Sequence, residues 1–198
     1  MNYLGHAYFS YKHPEILVGN LISDFVKGKK KFDYPPGIQK GITLHREIDD
    51  FSDTHEATRR AKEIFRPHYR LYASAFMDVT YDHFIANDTD LFTEPTLYSF
   101  TQETYRVLEE QQQWLPELFA LMFPYMKLQN WLFNYRHRWG IERSFKGLVR
   151  RSKYLTESDT AFRLFEENIE TLQECYNHFS VDIKNFAKKR FNALLNSD

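Results

Sequence analysis

The feature that most constrains the fold of this chain is its shortage of residues that make turns. Only 7 glycines and 7 prolines occur in 198 residues, whereas 18 phenylalanines and 13 tyrosines supply large apolar side chains. A β-sandwich needs a turn about every 8–12 residues. No window alternates apolar and polar residues long enough to predict a strand. We therefore predict an all-α fold of roughly seven to nine helices, forming one domain over residues 1–198.

Proline and glycine indicate where the first long helices begin and end. His13-Pro14 opens a helix that we expect to run to about Lys27 and to end at Gly28. The sequence at 34–37, YPPG, is the clearest break. A second helix is predicted from about residue 38 to 51.

Further along the chain, capping residues and a proline predict the ends of two more helices. Asp53 and Glu56 have the spacing of a capping box, with Asp53 as the N-cap residue. We expect Arg66-Pro67 to interrupt the helix that begins there, because proline lacks an N–H donor. The segment 68–87 is then predicted to form one long helix.

Composition excludes several classes of protein. The net charge is −1, which gives no indication of a nucleic-acid partner. One cysteine, Cys175, makes neither an internal disulfide nor a cysteine-rich zinc site. The N-terminus lacks the pattern of a signal peptide, and no stretch is apolar enough to predict a membrane span. We expect a soluble cytoplasmic protein that binds neither membrane nor nucleic acid.

The predicted helix 68–87 carries two carboxylates inside an apolar face. Leu71, Ala75, Asp78, Asp82 and Ile85 have the spacing of a core-facing stripe. Two unpaired buried carboxylates one turn apart are costly, and a bound cation removes that cost. The sequence therefore indicates a metal or catalytic site here. The alternative is that each Asp pairs with one of the many Lys and Arg residues.

The predicted helix 38–51 repeats this pattern. His45 and Asp49 lie one turn apart on an apolar stripe, and imidazole with carboxylate suits Mn, Fe or Zn. A His–Asp hydrogen bond is the alternative. Arg46 follows His45, where it is either a phosphate ligand or a solvated side chain.

Three further residues are candidates from their positions. Asp24 ends an apolar face in the last turn of its predicted helix, where an acid opposes the helix dipole, and this favours a specific role. His6 lies in an apolar segment, as a ligand or as a core histidine. His83 follows Asp82 directly, and alone it is a weaker candidate.

Five blocks in this order resemble the acyl carrier protein phosphodiesterase family. The blocks are His6, residues 19–28 (GNLISDFVKG), 41–49 (GITLHREID), 53–55 (DTH) and 77–84 (MDVTYDHF). The resemblance implies a helical fold distantly similar to the HD-type metal-dependent phosphohydrolases. It also implies hydrolysis of the 4′-phosphopantetheine–serine phosphodiester of holo acyl carrier protein, in lipid metabolism. The implied metal is Mn²⁺, with Fe, Zn or Mg as alternatives.

The resemblance also implies which residues form the site. The matching positions are His6, Asp24, His45, Asp49, Asp78, Asp82 and His83. We expect His45, Asp78 and some of the others to hold one or two metal ions, with a carboxylate that is not a ligand, such as Asp24, as general base. His83 or His55 would protonate the leaving serine oxygen, and Arg46 would hold the phosphate.

Two other functions fit the same residues. A metal-dependent phosphohydrolase of a nucleotide or another small phosphoester would use the same site. A non-catalytic helical binding module would pair the acidic residues with Lys and Arg.

An acidic carrier protein requires a basic surface near the site. We expect it at the lysines of 27–31, which follow Asp24, or at the basic residues of 59–62, which follow His55, unless each cluster is merely a solvated face. Three basic clusters occur: Lys27, Lys29, Lys30 and Lys31; Arg59, Arg60 and Lys62; and Arg136, Arg138, Arg143, Lys146, Arg150, Arg151 and Lys153.

Overall fold

The structure is a computed structural model that describes residues 1–196. The all-α prediction is confirmed, because these residues form helices and no strands. No helix within them is both long enough and apolar enough to cross a bilayer. The eleven α-helices within these residues are α1 (Tyr3–Tyr8), α2 (Pro14–Ile22), α3 (Pro36–Thr54), α4 (Glu56–Tyr69), α5 (Ala73–Asn87), α6 (Glu94–Glu110), α7 (Glu117–Leu128), α8 (Trp131–Asn134), α9 (Arg138–Arg151), α10 (Asp159–Glu167) and α11 (Ile169–Leu195).

The number of helices exceeds the seven to nine expected from the sequence. Helices α1 and α8 are only 6 and 4 residues long. Segments this short span fewer than two turns, so they show no hydrophobic period that a sequence pattern can reveal. The longer helices agree with the expected range.

Two helix boundaries around α2 and α3 differ from the prediction. Helix α2 ends at Ile22, and a 3-10 turn at Ser23–Phe25 follows it. Asp53 lies inside α3 rather than at an N-cap, and its carboxylate pairs with Lys62 at 2.5 Å. His55 caps α4 instead, where its Nδ1 accepts the N–H of Ala57 at 3.2 Å.

The break between α4 and α5 lies three residues after the predicted position. Pro67 is inside α4, near its end, where the loss of one helical hydrogen bond is tolerated. The chain turns at Arg70, whose φ is 48°. Leu71 therefore lies outside α5 and is 94% exposed, so it is not part of the apolar stripe that contains Asp78 and Asp82.

Helices α2 and α3 form the most extensive helix pair of the described chain. They cross backbone to backbone at two glycines. A Cβ on Gly19 would lie 2.1 Å from the carbonyl oxygen of Ile38, and one on Gly41 would lie 2.3 Å from that of Ile16. The crossing brings Asn20, on α2, against His45, on α3.

The glycine crossing predicts a large cost for one methyl group. Gly19→Ala should lower the free energy of unfolding by about 1–3 kcal/mol or more, because the added methyl group would meet the rigid backbone of α3. Gly147→Ala is the matched control, since its nearest neighbour is the flexible end of Arg151 at 3.3 Å. That control should be neutral or stabilising by up to about 1 kcal/mol. Urea unfolding followed by circular dichroism measures both, and equal effects would contradict the close crossing.

Candidate metal centre

Three side chains from α1 and α3 converge at the centre of the protein. The Nε2 atom of His6 lies 3.1 Å from Asp49 Oδ1, and that of His45 lies 3.0 Å from Asp49 Oδ2. The two imidazole rings stack with their centroids 3.8 Å apart. One ligand atom from each residue lies within 4.8 Å of the others, which is the spacing of donors around one cation.

Asn20 orients both imidazoles. His6 Nδ1 lies 2.8 Å from the Asn20 side-chain oxygen, and His45 Nδ1 lies 2.6 Å from the Asn20 backbone oxygen. Because both partners are acceptors, each Nδ1 carries the proton and donates it. Metal-binding histidines are commonly held in this way. Sequence patterns did not predict that Asn20 orients the two histidines, although an Asn that shares an apolar helix face with Asp24 could have indicated it.

This arrangement requires a positive charge among the three residues. With Nδ1 protonated, a neutral ring presents the Nε2 lone pair to Asp49, and lone pair and carboxylate repel each other. Burial lowers the pKa of His45, but the carboxylates of Asp24 and Asp49 outweigh burial and raise it to about 9. Burial and the charge of His45 lower the pKa of His6 to about 4. The proton on His45 supplies this charge for the contact of His45 with Asp49. The Nε2 atom of neutral His6 still faces two acceptors, Asp49 Oδ1 at 3.1 Å and the backbone oxygen of Met1 at 3.0 Å, and a bound cation would relieve that repulsion.

A second cation lies beside the cluster. The α-ammonium of Met1 donates to Asp49 Oδ1 at 3.2 Å and to Asp78 Oδ1 at 3.0 Å. Burial lowers the pKa of this ammonium, but Asp78 and Asp49 outweigh burial and raise it to about 11. Burial alone would raise the pKa of Asp49, yet Met1, His6 and His45 hold it far below its usual range. Burial raises the pKa of Asp78.

Asp24 lies at the open side of the cluster, on the 3-10 turn after α2. Its Oδ1 is 3.2 Å from His45 Nε2, and its side chain is 75% exposed. The hydrogen bond from His45 lowers the pKa of Asp24, so the carboxylate stays ionised at neutral pH. Arg46 is exposed and donates from Nη2 to the backbone oxygen of Val26 at 2.7 Å, which ties its guanidinium to the same turn.

We expected Asp82 to be a metal ligand, but the structure does not place it among the three clustered residues. Its two oxygens accept the backbone N–H groups of Leu4 at 2.7 Å and of Gly5 at 3.0 Å. Burial raises the pKa of Asp82 to about 7, although the two N–H bonds oppose that rise. Asp82 therefore anchors α1, the helix that carries His6, and is not brought into the cluster.

His83 and His55 also lie apart from the cluster. His83 Nδ1 donates to the backbone oxygen of Tyr135 at 2.7 Å, and the ring packs against Phe165. His55 Nε2 pairs with Asp182 at 3.1 Å, at the start of α4. Neither ring belongs to the group formed by His6, His45 and Asp49.

These features define an all-α protein with a central pair of histidines beside a carboxylate, a candidate metal centre. A family model described as Acyl carrier protein phosphodiesterase matches residues 1–183. The chain therefore belongs to the acyl carrier protein phosphodiesterase family, and it is a phosphodiester hydrolase.

Three relatives carry the name acyl carrier protein phosphodiesterase. The protein from Photorhabdus laumondii is 30% identical over 169 residues, 85% of each chain. Those from Yersinia pestis and Salmonella agona are each 29% identical over 180 residues, 90% of this chain and 93% of theirs. No solved structure matches this chain, so the likeness to HD-type phosphohydrolases stays a prediction.

The anchoring of α1 by Asp82 predicts the effect of removing one acceptor. Asp82→Asn should lower the free energy of unfolding by about 1–3 kcal/mol, because the new NH₂ group opposes a buried N–H donor. Asp90→Asn, at an exposed acid, is the control and should change little. Denaturant unfolding of both variants checks this. A neutral Asp82→Asn would show that α1 is held by other contacts.

Proposed function

We propose that this chain is a metal-dependent phosphodiesterase that hydrolyses the 4′-phosphopantetheine–serine phosphodiester of holo acyl carrier protein. The products are apo carrier protein and 4′-phosphopantetheine. The names of its relatives support the substrate. The convergence of His6, His45 and Asp49 within 4.8 Å supports the metal, and it is the observation that carries the proposal.

The donor set fits a divalent transition metal. Two imidazole nitrogens and a carboxylate are the ligands that Mn, Fe and Zn accept, whereas Mg²⁺ prefers an all-oxygen shell. We propose Mn²⁺, held by His6, His45 and Asp49, with the Asp24 and Asp78 carboxylates at the edge of the site. Such an ion lowers the pKa of water and polarises a phosphoryl oxygen.

The chain's own side chains have separate tasks in this proposal. Asp24 is ionised, exposed and 3.2 Å from His45, so it is placed to accept a proton from the attacking water. Arg46 presents its remaining exposed N–H donors on the same side, where they bind the phosphate. The proposal assigns no proton transfer to His55 or His83, since both lie apart from the cluster.

Mass spectrometry of holo carrier protein incubated with this protein and Mn²⁺ tests the reaction. Loss of the phosphopantetheine mass from the carrier protein, with the serine intact, is the expected result. Hydrolysis of nucleotides or small phosphoesters with an unchanged holo carrier protein would instead assign the site to small substrates.

The ligand assignment predicts a loss of metal as well as of activity. His45→Ala should lower Mn²⁺ affinity by at least about tenfold and abolish hydrolysis, with the helical circular dichroism spectrum retained. His55→Ala is the matched control, since that ring pairs with Asp182, and it should keep the metal. Titration with Mn²⁺ followed by electron paramagnetic resonance measures both. Equal affinity in the two variants would remove His45 from the ligand set.

A further inference from the structure

A groove with a volume of about 560 Å³ lies beside the cluster. One wall is Asn2 and Tyr3, and the opposite wall is α9 with its cationic side chains. Asn2 and Tyr3 directly follow Met1, whose ammonium contacts Asp49 and Asp78. Asn2 and Tyr3 therefore connect the groove to the cluster through Met1.

The groove wall on α9 carries positive charge that no carboxylate of residues 1–196 neutralises. Arg150 and Arg151 are exposed and have no carboxylate within 4.0 Å among residues 1–196. Arg143 lies over the ring of Trp139 at 5.0 Å and likewise pairs with no acid of that region. Lys146 is different, because it pairs with Glu142 at 2.5 Å. Three arginines thus line the groove without a carboxylate partner among residues 1–196.

An apolar row on α7 adjoins the same groove. Leu118, Leu121, Tyr125 and Leu128 are 69%, 64%, 61% and 84% exposed. Their spacing of 3, 4 and 3 residues places them on one face of the helix. Gln129, one turn after Tyr125, lines the groove, so the row ends at its mouth. Exposed apolar side chains that form a contiguous patch indicate a contact with a partner.

We propose that the apolar row on α7 and the arginine wall on α9, together the α7–α9 surface, dock the carrier protein. The surface requires a partner whose face combines carboxylates with apolar side chains. A substrate attached to a protein needs such a surface beside the phosphodiester site. This inference rests on the proposed function, and it places docking on the third basic cluster rather than on the clusters at 27–31 or 59–62.

A second copy of the chain fits the surface less well. A two-fold contact brings the same patch of both copies together. The unpaired arginines of α9 would then face each other, and like charges at an interface cost several kcal/mol. An acidic partner neutralises those arginines, so charge complementarity favours the carrier protein.

Binding of apo carrier protein tests the proposal, because apo protein cannot be hydrolysed. Arg150→Glu/Arg151→Glu should weaken its Kd at least tenfold at low salt, and the loss should shrink at about 0.15 M salt, where the Debye length is about 8 Å. Leu121→Ser/Leu128→Ser should weaken it at both salt concentrations. Lys29→Glu/Lys30→Glu is the matched charge reversal and should weaken it less than threefold. Isothermal titration calorimetry measures all four proteins, after circular dichroism has shown that they fold.

The outcomes separate docking from hydrolysis. Wild-type protein that binds apo carrier protein through this surface but leaves the holo form intact supports docking and overturns the proposed function. Holo carrier protein that is hydrolysed as fast by the arginine variant as by wild type overturns the docking surface alone. A greater loss with Lys29→Glu/Lys30→Glu also overturns it. So does sedimentation of the wild type as a dimer that Leu121→Ser/Leu128→Ser dissociates, or binding to anionic vesicles in preference to carrier protein.

Discussion

The close crossing of α2 and α3 is the contact on which the site depends. Because Gly19 and Gly41 have no side chains, the two backbones touch, and Asn20 reaches His45 directly from α2. The same Asn20 reaches His6 through its side chain. A wider crossing would separate the backbone oxygen of Asn20 from His45 Nδ1. The packing of two helices thereby determines which imidazole nitrogens remain free to bind a cation.

Charge balance explains how Asp49 and Asp78, whose side chains are about one-third exposed, are tolerated beside an aromatic core. Asp49 receives contacts from His6, His45 and the Met1 ammonium, and Asp78 shares that ammonium. Each carboxylate is thus matched by a proton or a cation, as buried charges require. A divalent ion that replaces the proton on His45 would add one further positive charge, beside the ionised Asp24 carboxylate. The site is therefore suited to hold either a proton on His45 or a bound cation.

Sequence patterns revealed the burial of the site residues but not their partners. The stripe on α3 identified His45 and Asp49, which lie together in the structure. The same argument identified Asp82, whose partners are instead two backbone N–H groups of α1. Hydrophobic period records which face of a helix is buried, and it carries no information about what packs against that face. His6 was a candidate from local composition alone, since α1 is too short to show a period.

The anchoring of α1 also bears on how the protein folds. Helix α1 is the first helix of the chain, yet the carboxylate that holds it lies 78 residues away from Leu4. Contacts between residues far apart in sequence form late, since a long loop must close first. During synthesis, Asp82 can therefore anchor α1 and fix His6 in place only after α5 has left the ribosome. His6 therefore reaches His45 and Asp49 only after the segment up to Asp82 has been synthesised.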